Sequence, residues 1–341
     1  MTSSNSSLRH NIGSEWGMRV AGIFVGFGVV LVAFAASIAF GKAAIPLATV
    51  WNALWYFDGS QEHLLIRTVR FPRALIATAV GACLATAGAI MQGITRNPLA
   101  GPELFGVNQG ASLAVVVYIF LLDGESLFGH LAYALVGAGL SGGLTYVLGS
   151  LGRQGLTPVK LILAGSAINL FFASLIQGVL VMDERSLDTM RFWLAGALTG
   201  RDISLFMNVL PLMVLGLICA IVLGRQVNLI SLGEETARGL GQRLVLVQLG
   251  ALLAVILLAG ASVAIAGPIG FIGLAVPHVA RALVGSDYRW ILPYSAILGA
   301  LLLLLADILA RFVWPAQEIS AGIVTAVLGA PFLIYLAQKR G

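Results

Sequence analysis

Charge is scarce in this sequence. Only 10% of its 341 residues are Asp, Glu, Lys or Arg, while 59% are hydrophobic and the mean hydropathy is +0.96. A soluble domain needs roughly 25% charged residues to cover its surface, so composition excludes a water-soluble fold. The net charge is +5, but the basic residues are dispersed rather than gathered in one run. This dispersion argues against a nucleic-acid-binding arm and indicates a membrane protein whose charges set its topology.

Chemistry-bearing residues are scarce as well. The two cysteines, Cys83 and Cys219, lie inside apolar stretches and share no metal-ligand spacing, so we expect small core residues and no disulfide. The lone His278 has no partner spaced for metal binding, which favours a structural or gate-adjacent role. No His, Asp or Cys cluster lies within the apolar stretches, which argues against a membrane enzyme. We therefore expect no catalytic residues and no metal site.

A phosphate-binding loop is also missing. The only Gly-Lys pair, Gly41-Lys42, is followed by Ala43 and lacks the earlier glycine that such a loop needs. Proton or sodium coupling would require ionisable groups at mid-membrane depth. The best candidate is Asp307, four residues before Arg311, where helical spacing predicts an ion pair and a proton relay is the alternative. The energy for any transport is therefore expected from another protein, which disfavours a stand-alone secondary transporter.

Long uncharged stretches dominate what is present. Nine occur, at 20–41, 74–95, 104–122, 126–152, 161–182, 203–224, 244–280, 290–306 and 319–338. Eight of them match the ~20 residues of one transmembrane helix. The stretch 244–280 is too long for one helix, and Gly260, Gly267-Pro268 and Gly270 predict a break near its middle. The stretch 20–41 is too long for a signal peptide and is interpreted as an uncleaved first span.

The distribution of basic residues decides between a topology of ten spans and one of nine. With ten spans and a cytoplasmic N-terminus, twelve basic residues lie inside and eight outside, whereas nine spans give nine against eleven. The positive-inside rule favours ten. The twelve inside residues are Arg9, Arg19, Arg96, Arg153, Lys160, Arg225, Arg238, Arg243, Arg281, Arg289, Lys339 and Arg340. The prediction is an all-α integral membrane protein of about ten transmembrane helices, with both termini cytoplasmic.

The chain is predicted to form a single transmembrane domain over residues 1–341, with 225–243 as its longest cytoplasmic loop. An offset of 179 residues aligns seven identities in eighteen positions between the two halves, including Gly88 with Gly267. Five spans per half would make an inverted five-helix repeat, a common device of transporters. Close helix packing through Gly and Ala explains the same identities without a repeat.

Several motifs follow one another along the chain. They are Arg-Phe-Pro-Arg at 70–73, RNPLA at 96–100, LGEETARGLG at 232–241, AGPIGFIGLAVPH at 266–278, ADILAR at 306–311 and GIVTA at 322–326 with GAP at 329–331. Together they resemble the FecCD-type permeases that import iron–siderophores, haem and vitamin B12. The resemblance runs from about residue 20 to the C-terminus.

This resemblance implies a set of partners. The chain would work in the bacterial cell membrane as a homodimer or heterodimer of permeases, with two ATP-binding subunits and an extracytoplasmic substrate-binding protein. ATP and Mg would bind to the partner subunits, and this chain would hold no cofactor and perform no covalent chemistry. We expect an iron–siderophore complex as substrate, although the motifs do not separate it from haem or vitamin B12.

Two groups of candidate site residues lie in the loops. Arg70 and Arg73, at the outer entrance to the second span, are expected to project into water, and the resemblance implies that they and Arg311 bind acidic residues of the binding protein. Membrane anchoring by snorkelling arginines is the alternative.

Between Gly233 and Gly241 about two helical turns are predicted, with Ala237 and Leu240 buried on one side. The resemblance makes this the ATPase-coupling helix rather than a simple connector, with candidate residues Gly233, Glu234, Glu235, Ala237, Arg238, Leu240 and Gly241.

The third group is a predicted gate or translocation pathway. Asn97 precedes a proline, which predicts a turn where the second span ends at the cytoplasmic face. Other polar side chains lie within the spans, where interhelical hydrogen bonds explain them equally well. The candidate gate or pathway residues are Gln92, Arg96, Asn97, Pro98 and Asn169.

Overall fold

The computed structural model describes residues 4–41, 45–152, 157–313 and 318–338, and within these ranges every regular element is a helix. Lys42, Arg153, Lys339 and Arg340, which the topology count uses, lie outside them. The α-helices are α1 Ser4–Ala39, α2 Leu47–Trp55, α3 Gln61–Leu65, α4 Phe71–Thr95, α5 Val107–Leu122, α6 Leu127–Ser150, α7 Pro158–Met182, α8 Glu184–Leu194, α9 Ile203–Ser231, α10 Glu234–Gly239, α11 Leu244–Val255, α12 Ala261–Ala266, α13 Ile272–Val284, α14 Tyr288–Phe312 and α15 Ala321–Gln338.

The described residues contain ten apolar helical segments. Seven of them, by length and hydropathy, suffice to cross a bilayer: Trp16–Ala39, Gln61–Thr95, Leu127–Ser150, Pro158–Met182, Ile203–Ser231, Leu244–Ala266 and Tyr288–Phe312. Three shorter apolar helices, Val107–Leu122, Ile272–Val284 and Ala321–Phe332, complete the set in the described ranges. The all-helical membrane fold predicted from the sequence is confirmed.

The predicted break in the stretch 244–280 is present, but it lies at one site. The helix runs through Ala266, the chain turns at Gly267 with φ of 73°, and α13 starts at Ile272. Gly260 does not interrupt it. This glycine ends a π-helical turn, Ile256–Gly260, that joins α11 to α12 as one continuous helix, because a π-turn adds a residue without ending the hydrogen-bonded ladder.

Helix α4 lies at the centre of the bundle and packs against α9, α13 and α14. Nearly all of its side chains from Ala74 to Thr95 are buried. Small residues allow the neighbouring helices to pack this closely. A Cβ at Gly81 would collide with the carbonyl oxygen of Gly299 on α14, and a Cβ at Gly299 with that of Gly81, so both helices require glycine at this crossing.

The connection between α4 and α5 enters the bundle instead of staying at its surface. Arg96 ends α4 in the left-handed conformation, and a 3₁₀ turn, Pro102–Phe105, then packs beside the middle of α6 and α7. Side chains from these helices satisfy its carbonyls: Ser141 donates to Gly106 at 2.8 Å, Thr145 to Phe105 at 3.0 Å and Asn169 to Glu103 at 2.9 Å. Irregular backbone at membrane depth is tolerated only where protein groups satisfy it in this way.

The seven identities at an offset of 179 residues do not align structurally equivalent positions. It pairs Gly88, in the interior of α4, with Gly267, where the chain leaves the helix. The identities therefore reflect the Gly and Ala content that close packing requires. The inverted five-helix repeat stays a prediction.

Candidate functional site

Three arginines meet at one end of the bundle, the end that the sequence predicts to be the outer one. Arg73 on α4 donates through Nε to Asp307 on α14 at 2.9 Å, and through Nη1 to Glu318 at 2.7 Å. Arg311, one turn after Asp307, pairs with the same carboxylate. The predicted i,i+4 pair of Asp307 and Arg311 is confirmed, and Arg73 is a third member that chain spacing does not reveal.

The same arginines close the end of the first helix. The last carbonyls of a helix lack intrahelical donors and carry its negative dipole end. Arg70 donates to the carbonyls of Ile38 and Ala39 at 2.8 and 2.9 Å. Arg311 donates to the carbonyls of Ser37 and Phe40 at 2.6 and 3.0 Å. The two guanidinium groups thus cap α1 and attach it to the start of α4 and the end of α14.

The expectation that Arg70 and Arg73 project into water is wrong. Arg70 and Arg73 are each 6% exposed and Arg311 is 5% exposed, while Asp307 is fully buried. The arginines turn inward because the last carbonyls of α1 and the buried carboxylate of Asp307 need donors. Direct contact of these side chains with a binding protein stays a prediction. The structure shows how these side chains hold the ends of the neighbouring helices in place.

At the opposite end, α10 forms the short helix predicted between Gly233 and Gly241. Gly233 has φ of 116° and Gly241 φ of 80°, which a residue with a side chain rarely adopts. The helix ends in a Schellman motif, since Gln242 N–H bonds Ala237 C=O and Gly241 N–H bonds Arg238 C=O. The two glycines therefore fix the length and the direction of this helix.

The burial of the α10 segment differs from the prediction in one residue. Ala237 is fully buried against the bundle, as expected, but Leu240 is 62% exposed. The reason is the cap, because α10 ends at Gly239 and Leu240 points away from the face that carries Ala237. Glu235 and Arg238 are exposed too, and Arg238 lies 3.9 Å from Glu234 across one turn. This end of the molecule offers an exposed leucine among charges.

Side-chain bridges brace α10 against the bundle. Gln242 donates to the carbonyl of Gln226 on α9 at 2.9 Å. Near the end of α9, Asn228 donates to Asp287 at 2.6 Å and accepts from the backbone N–H of Tyr288 at 2.7 Å. These bonds connect the α10 segment to α9, and α9 to the start of α14.

The predicted gate residues divide between two roles. Gln92 donates to the carbonyl of Leu274 at 3.0 Å and accepts from Arg281 at 2.9 Å, linking α4 to α13. Asn169 holds the 3₁₀ turn, as described above. Both are interhelical bonds, the alternative that the sequence offers, and a place beside a pathway stays a prediction.

The RNP segment forms the predicted turn at the end of α4. Asn97 accepts the N–H of Leu99 through its side chain at 3.0 Å, and Pro98 lies between them. Arg96 lies close to the start of α10, since a Cβ at Gly233 would lie 3.9 Å from its Nη1. The structure therefore brings the Arg96-Asn97-Pro98 segment and the α10 segment together, a proximity that the sequence did not indicate.

Sequence reasoning missed Glu103. The uncharged stretch 104–122 begins directly after Glu103, so the predicted topology places this residue at the membrane surface. The 3₁₀ turn instead carries it beside Asn169, twelve residues into α7. The Gly-Pro pair before it was the available signal, because it predicts irregular backbone rather than a helix start. An acidic side chain at this depth is a functional candidate by default.

Residues 29–339 match the model of the FecCD transport family. The chain belongs to the FecCD transport family. Among its FecCD relatives is YfiZ of Bacillus subtilis (strain 168), named as a siderophore transport system permease protein, which is 45% identical over 326 residues covering 96% of this chain and 97% of YfiZ.

Two further likenesses agree with this FecCD assignment. FepD of Escherichia coli (strain K12), named as a ferric enterobactin transport system permease protein, is 39% identical over 313 residues, covering 92% of this chain and 93% of FepD. A solved structure of a metal-chelate type ABC transporter in an inward-facing conformation superimposes with a TM-score of 0.82 at 29% identity, covering 94% of this chain and 99% of that one. This FecCD chain is therefore a multi-pass transport permease with the fold of an ABC transporter.

Proposed function

We propose that this chain is the membrane-spanning permease of a bacterial ABC importer that carries ferric siderophores into the cytoplasm. The observation that carries the proposal is the family match over residues 29–339, together with relatives named as siderophore and iron permeases that align over nearly their full length. Haem and vitamin B12 are the competing cargoes, and no contact in the described residues favours either.

Energy would enter through α10. The segment lies outside the apolar bundle, its glycine-bounded geometry is fixed, and Leu240 is exposed next to charged side chains. An exposed apolar residue with a charged surround suits the cleft of a partner protein. ATP and Mg would be held by two partner ATPase subunits, and closure of those subunits would push on α10 of each permease in a dimer.

Delivery would occur at the outer end. The buried cluster of Arg70, Arg73 and Arg311 fixes the relative positions of α1, α4 and α14. In this proposal these arginines position the outer surface on which an extracytoplasmic binding protein docks. Both termini would lie in the cytoplasm, as the basic-residue count predicts.

The cargo is tested by deleting the gene in its host and measuring uptake of radiolabelled ligands. Cells should lose uptake of at least one of three probes, ferric enterobactin, ferric citrate and a ferric hydroxamate, and regain it with the wild-type gene. Haem and cobalamin uptake should be unchanged. Loss confined to haem or cobalamin would reassign the cargo within the same family, and no change in any of the five would reject an importer of this class.

A further inference from the structure

Helix α2 presents an apolar face that no part of the described chain covers. Its sequence, LATVWNALW, contains no charged residue. Leu47, Trp51 and Trp55 follow one another at intervals of four residues and form one stripe, with 62%, 61% and 68% of their surfaces exposed. The centroids of the two indole rings lie 5.8 Å apart. Val50 and Ala53 on the other side of α2 are buried, so the stripe points away from the bundle.

The start of α2 lies close to the end of the first span. The backbone N–H of Ile45 bonds to the carbonyl of Ala39, the last residue of α1, at 3.1 Å. Ile45 is buried, and α2 begins two residues later at Leu47. The first turn of α2 therefore lies near the depth in the membrane at which α1 ends.

The other end of α2 is attached at nearly the same depth. Arg67 caps this end by donating to the carbonyls of Ala53 and Leu54 at 2.6 and 2.8 Å. Arg67 lies in the π-helical turn that leads into α4, one turn before Arg70, whose guanidinium donates to the carbonyl of Ala39. A helix of nine residues is about 13 Å long. Because both of its ends are attached near the end of α1, α2 runs across the bundle rather than along its axis.

Pairs of tryptophans mark both ends of the first span. Where α1 enters the apolar region, the ring centroids of Trp16 and Trp290 lie 6.3 Å apart, and Trp16 is 62% exposed. The 24 residues from Trp16 to Ala39 are apolar enough to cross a bilayer, and they extend over about 36 Å. This length lies between the ~30 Å of the hydrocarbon core and the roughly 40–45 Å that includes the headgroups. The tryptophan pair on α2 therefore lies at the depth of the opposite interface, where tryptophan is enriched.

The charges near α2 favour lipid over a protein as the group that covers the stripe. Asp58 and Glu62, which follow α2 in the chain, are exposed carboxylates. They would repel the acidic residues that the family resemblance implies on a binding protein. Arg67 is engaged in the helix cap and lies 4.4 Å from the centroid of the Phe57 ring. An exposed apolar patch bordered by polar groups is typical of a membrane or protein contact site, and here its depth and its charge both indicate the membrane.

We propose that α2 is an interfacial helix whose Leu47, Trp51 and Trp55 side chains lie among the headgroups and upper acyl chains of the predicted outer leaflet. The indole ring suits this zone because its body is apolar while its N–H can donate to a headgroup. No basic residue lies on α2, so a neutral phospholipid suffices as the partner. The Arg67 cap connects this interfacial helix to the segment that leads into α4. The inference concerns lipid rather than cargo, so it goes beyond the proposed function and does not depend on it.

The test is tryptophan fluorescence of the full-length permease reconstituted in phosphatidylcholine bilayers. Two quenchers are compared, namely phosphatidylcholine brominated near the carboxyl end of its acyl chain, which reaches the interface, and acrylamide, which stays in water. The emission of Trp51 and Trp55 is obtained as the difference between wild type and the Trp51→Phe/Trp55→Phe variant. The brominated lipid should quench the larger share of this difference, and acrylamide the smaller. If the double variant does not fold, the single variants give the same difference one ring at a time.

Trp193→Phe is the matched control, because Trp193 is only 5% exposed. The emission lost in this variant should be quenched much less by the brominated lipid than the emission of Trp51 and Trp55. Addition of the binding protein should leave the quenching of Trp51 and Trp55 unchanged.

Three outcomes would overturn the proposal. Stronger quenching of Trp51 and Trp55 by acrylamide than by the brominated lipid would show that α2 faces water. Protection of these two residues from the quenchers by the binding protein would make α2 a docking surface. Resistance to both quenchers in the permease alone would show that a second copy of the chain covers the stripe. Because the emission is measured without cargo, the result is independent of the uptake test above.

Discussion

Asp307 is the residue on which the outer end of the bundle depends. It is fully buried and accepts from Arg73 and Arg311, and these arginines in turn hold neighbouring segments. A buried ion cluster of this kind is weak evidence of net stability, because desolvation offsets the attraction. Removal of one partner is different, since it leaves uncompensated charge in an apolar site.

Asp307→Asn should therefore destabilise the protein strongly. Arg311 would lose its paired carboxylate and Arg73 would keep Glu318 alone, and the uncompensated buried charge costs about 3–5 kcal/mol. Asp202→Asn is the control at the same end, because it removes an exposed carboxylate while asparagine caps α9 about as well, so stability should change little. Denaturation in detergent micelles measures both. Equal losses in the two variants would show that the cluster does not hold the helices.

Asp287, in the loop before α14, leads to a prediction about how stability depends on pH. Burial acts to raise its pKa, but hydrogen bonds from Arg289 and Asn228 prevail and lower it from 3.8 to about 2. Since the folded pKa lies below the unfolded one, the contribution to stability is complete above about pH 4–5 and is lost as the pH falls through about 2.

The difference in thermal midpoint between wild type and Asp287→Asn should accordingly be constant from pH 6 to 8. It should shrink as the pH is lowered from about 4 towards 2, because the wild-type carboxylate becomes protonated. A thermal scan in detergent at each pH measures it. A difference that grows on acidification would contradict the assigned hydrogen bonds.

Single residues are where prediction from the sequence was least complete. The i,i+4 spacing of Asp307 and Arg311 was sufficient to predict their pair, because a helix brings such residues together. The third partner, Arg73, is 234 positions away from Asp307, so only the packing of α4 on α14 brings them together. The inward direction of Arg70 was equally hidden, because local sequence does not say which carbonyls of α1 lack donors.

Among the elements, α10 has the ends that its two glycines predict, whereas Leu240 is exposed and not buried as predicted. Two glycines with positive φ determine its ends, and its burial follows from the Schellman cap that leaves Leu240 outside. A charged substitution at Ala237 would disrupt the contact of α10 with the bundle. Leu240 is the better probe of partner binding, since its side chain makes the smaller contribution to the fold.

Leu240→Asp should reduce transport at least about tenfold while leaving expression and thermal stability near those of wild type, because a charge in an apolar partner cleft prevents docking. Leu151→Asp is the matched control, a leucine that is 60% exposed after α6 at the same predicted face. It should transport normally. Normal uptake in Leu240→Asp would reduce α10 to a connector.

The elements also show which patterns the sequence encodes locally. Charge-bounded apolar stretches predict spans well, because lipid excludes charge from helices. The break at Gly267 was predictable for the same local reason. The 3₁₀ turn at Pro102–Phe105 was not, because its position in the bundle depends on Ser141, Thr145 and Asn169 from distant helices.

At the scale of the whole molecule, α14 connects the two ends. Its first residues are attached to α9 through Asn228, and its last turns carry Asp307 and Arg311. A helix of 25 residues spans about 37 Å, enough to cross the bilayer. One helix thus contacts α9 at the α10 end of the bundle and the arginine cluster around α1 and α4 at the opposite end.

The central claim is that this permease is driven by ATP hydrolysed on a partner subunit, and transport in proteoliposomes tests it most directly. The chain would be reconstituted with its ATPase subunits and binding protein, with ATP sealed inside, and uptake of the radiolabelled ferric chelate identified in cells would be measured. Uptake should require both ATP and the ATPase subunits, and a protonophore or sodium ionophore should not reduce it. Uptake by the permease alone, driven by an imposed proton or sodium gradient, would contradict the claim.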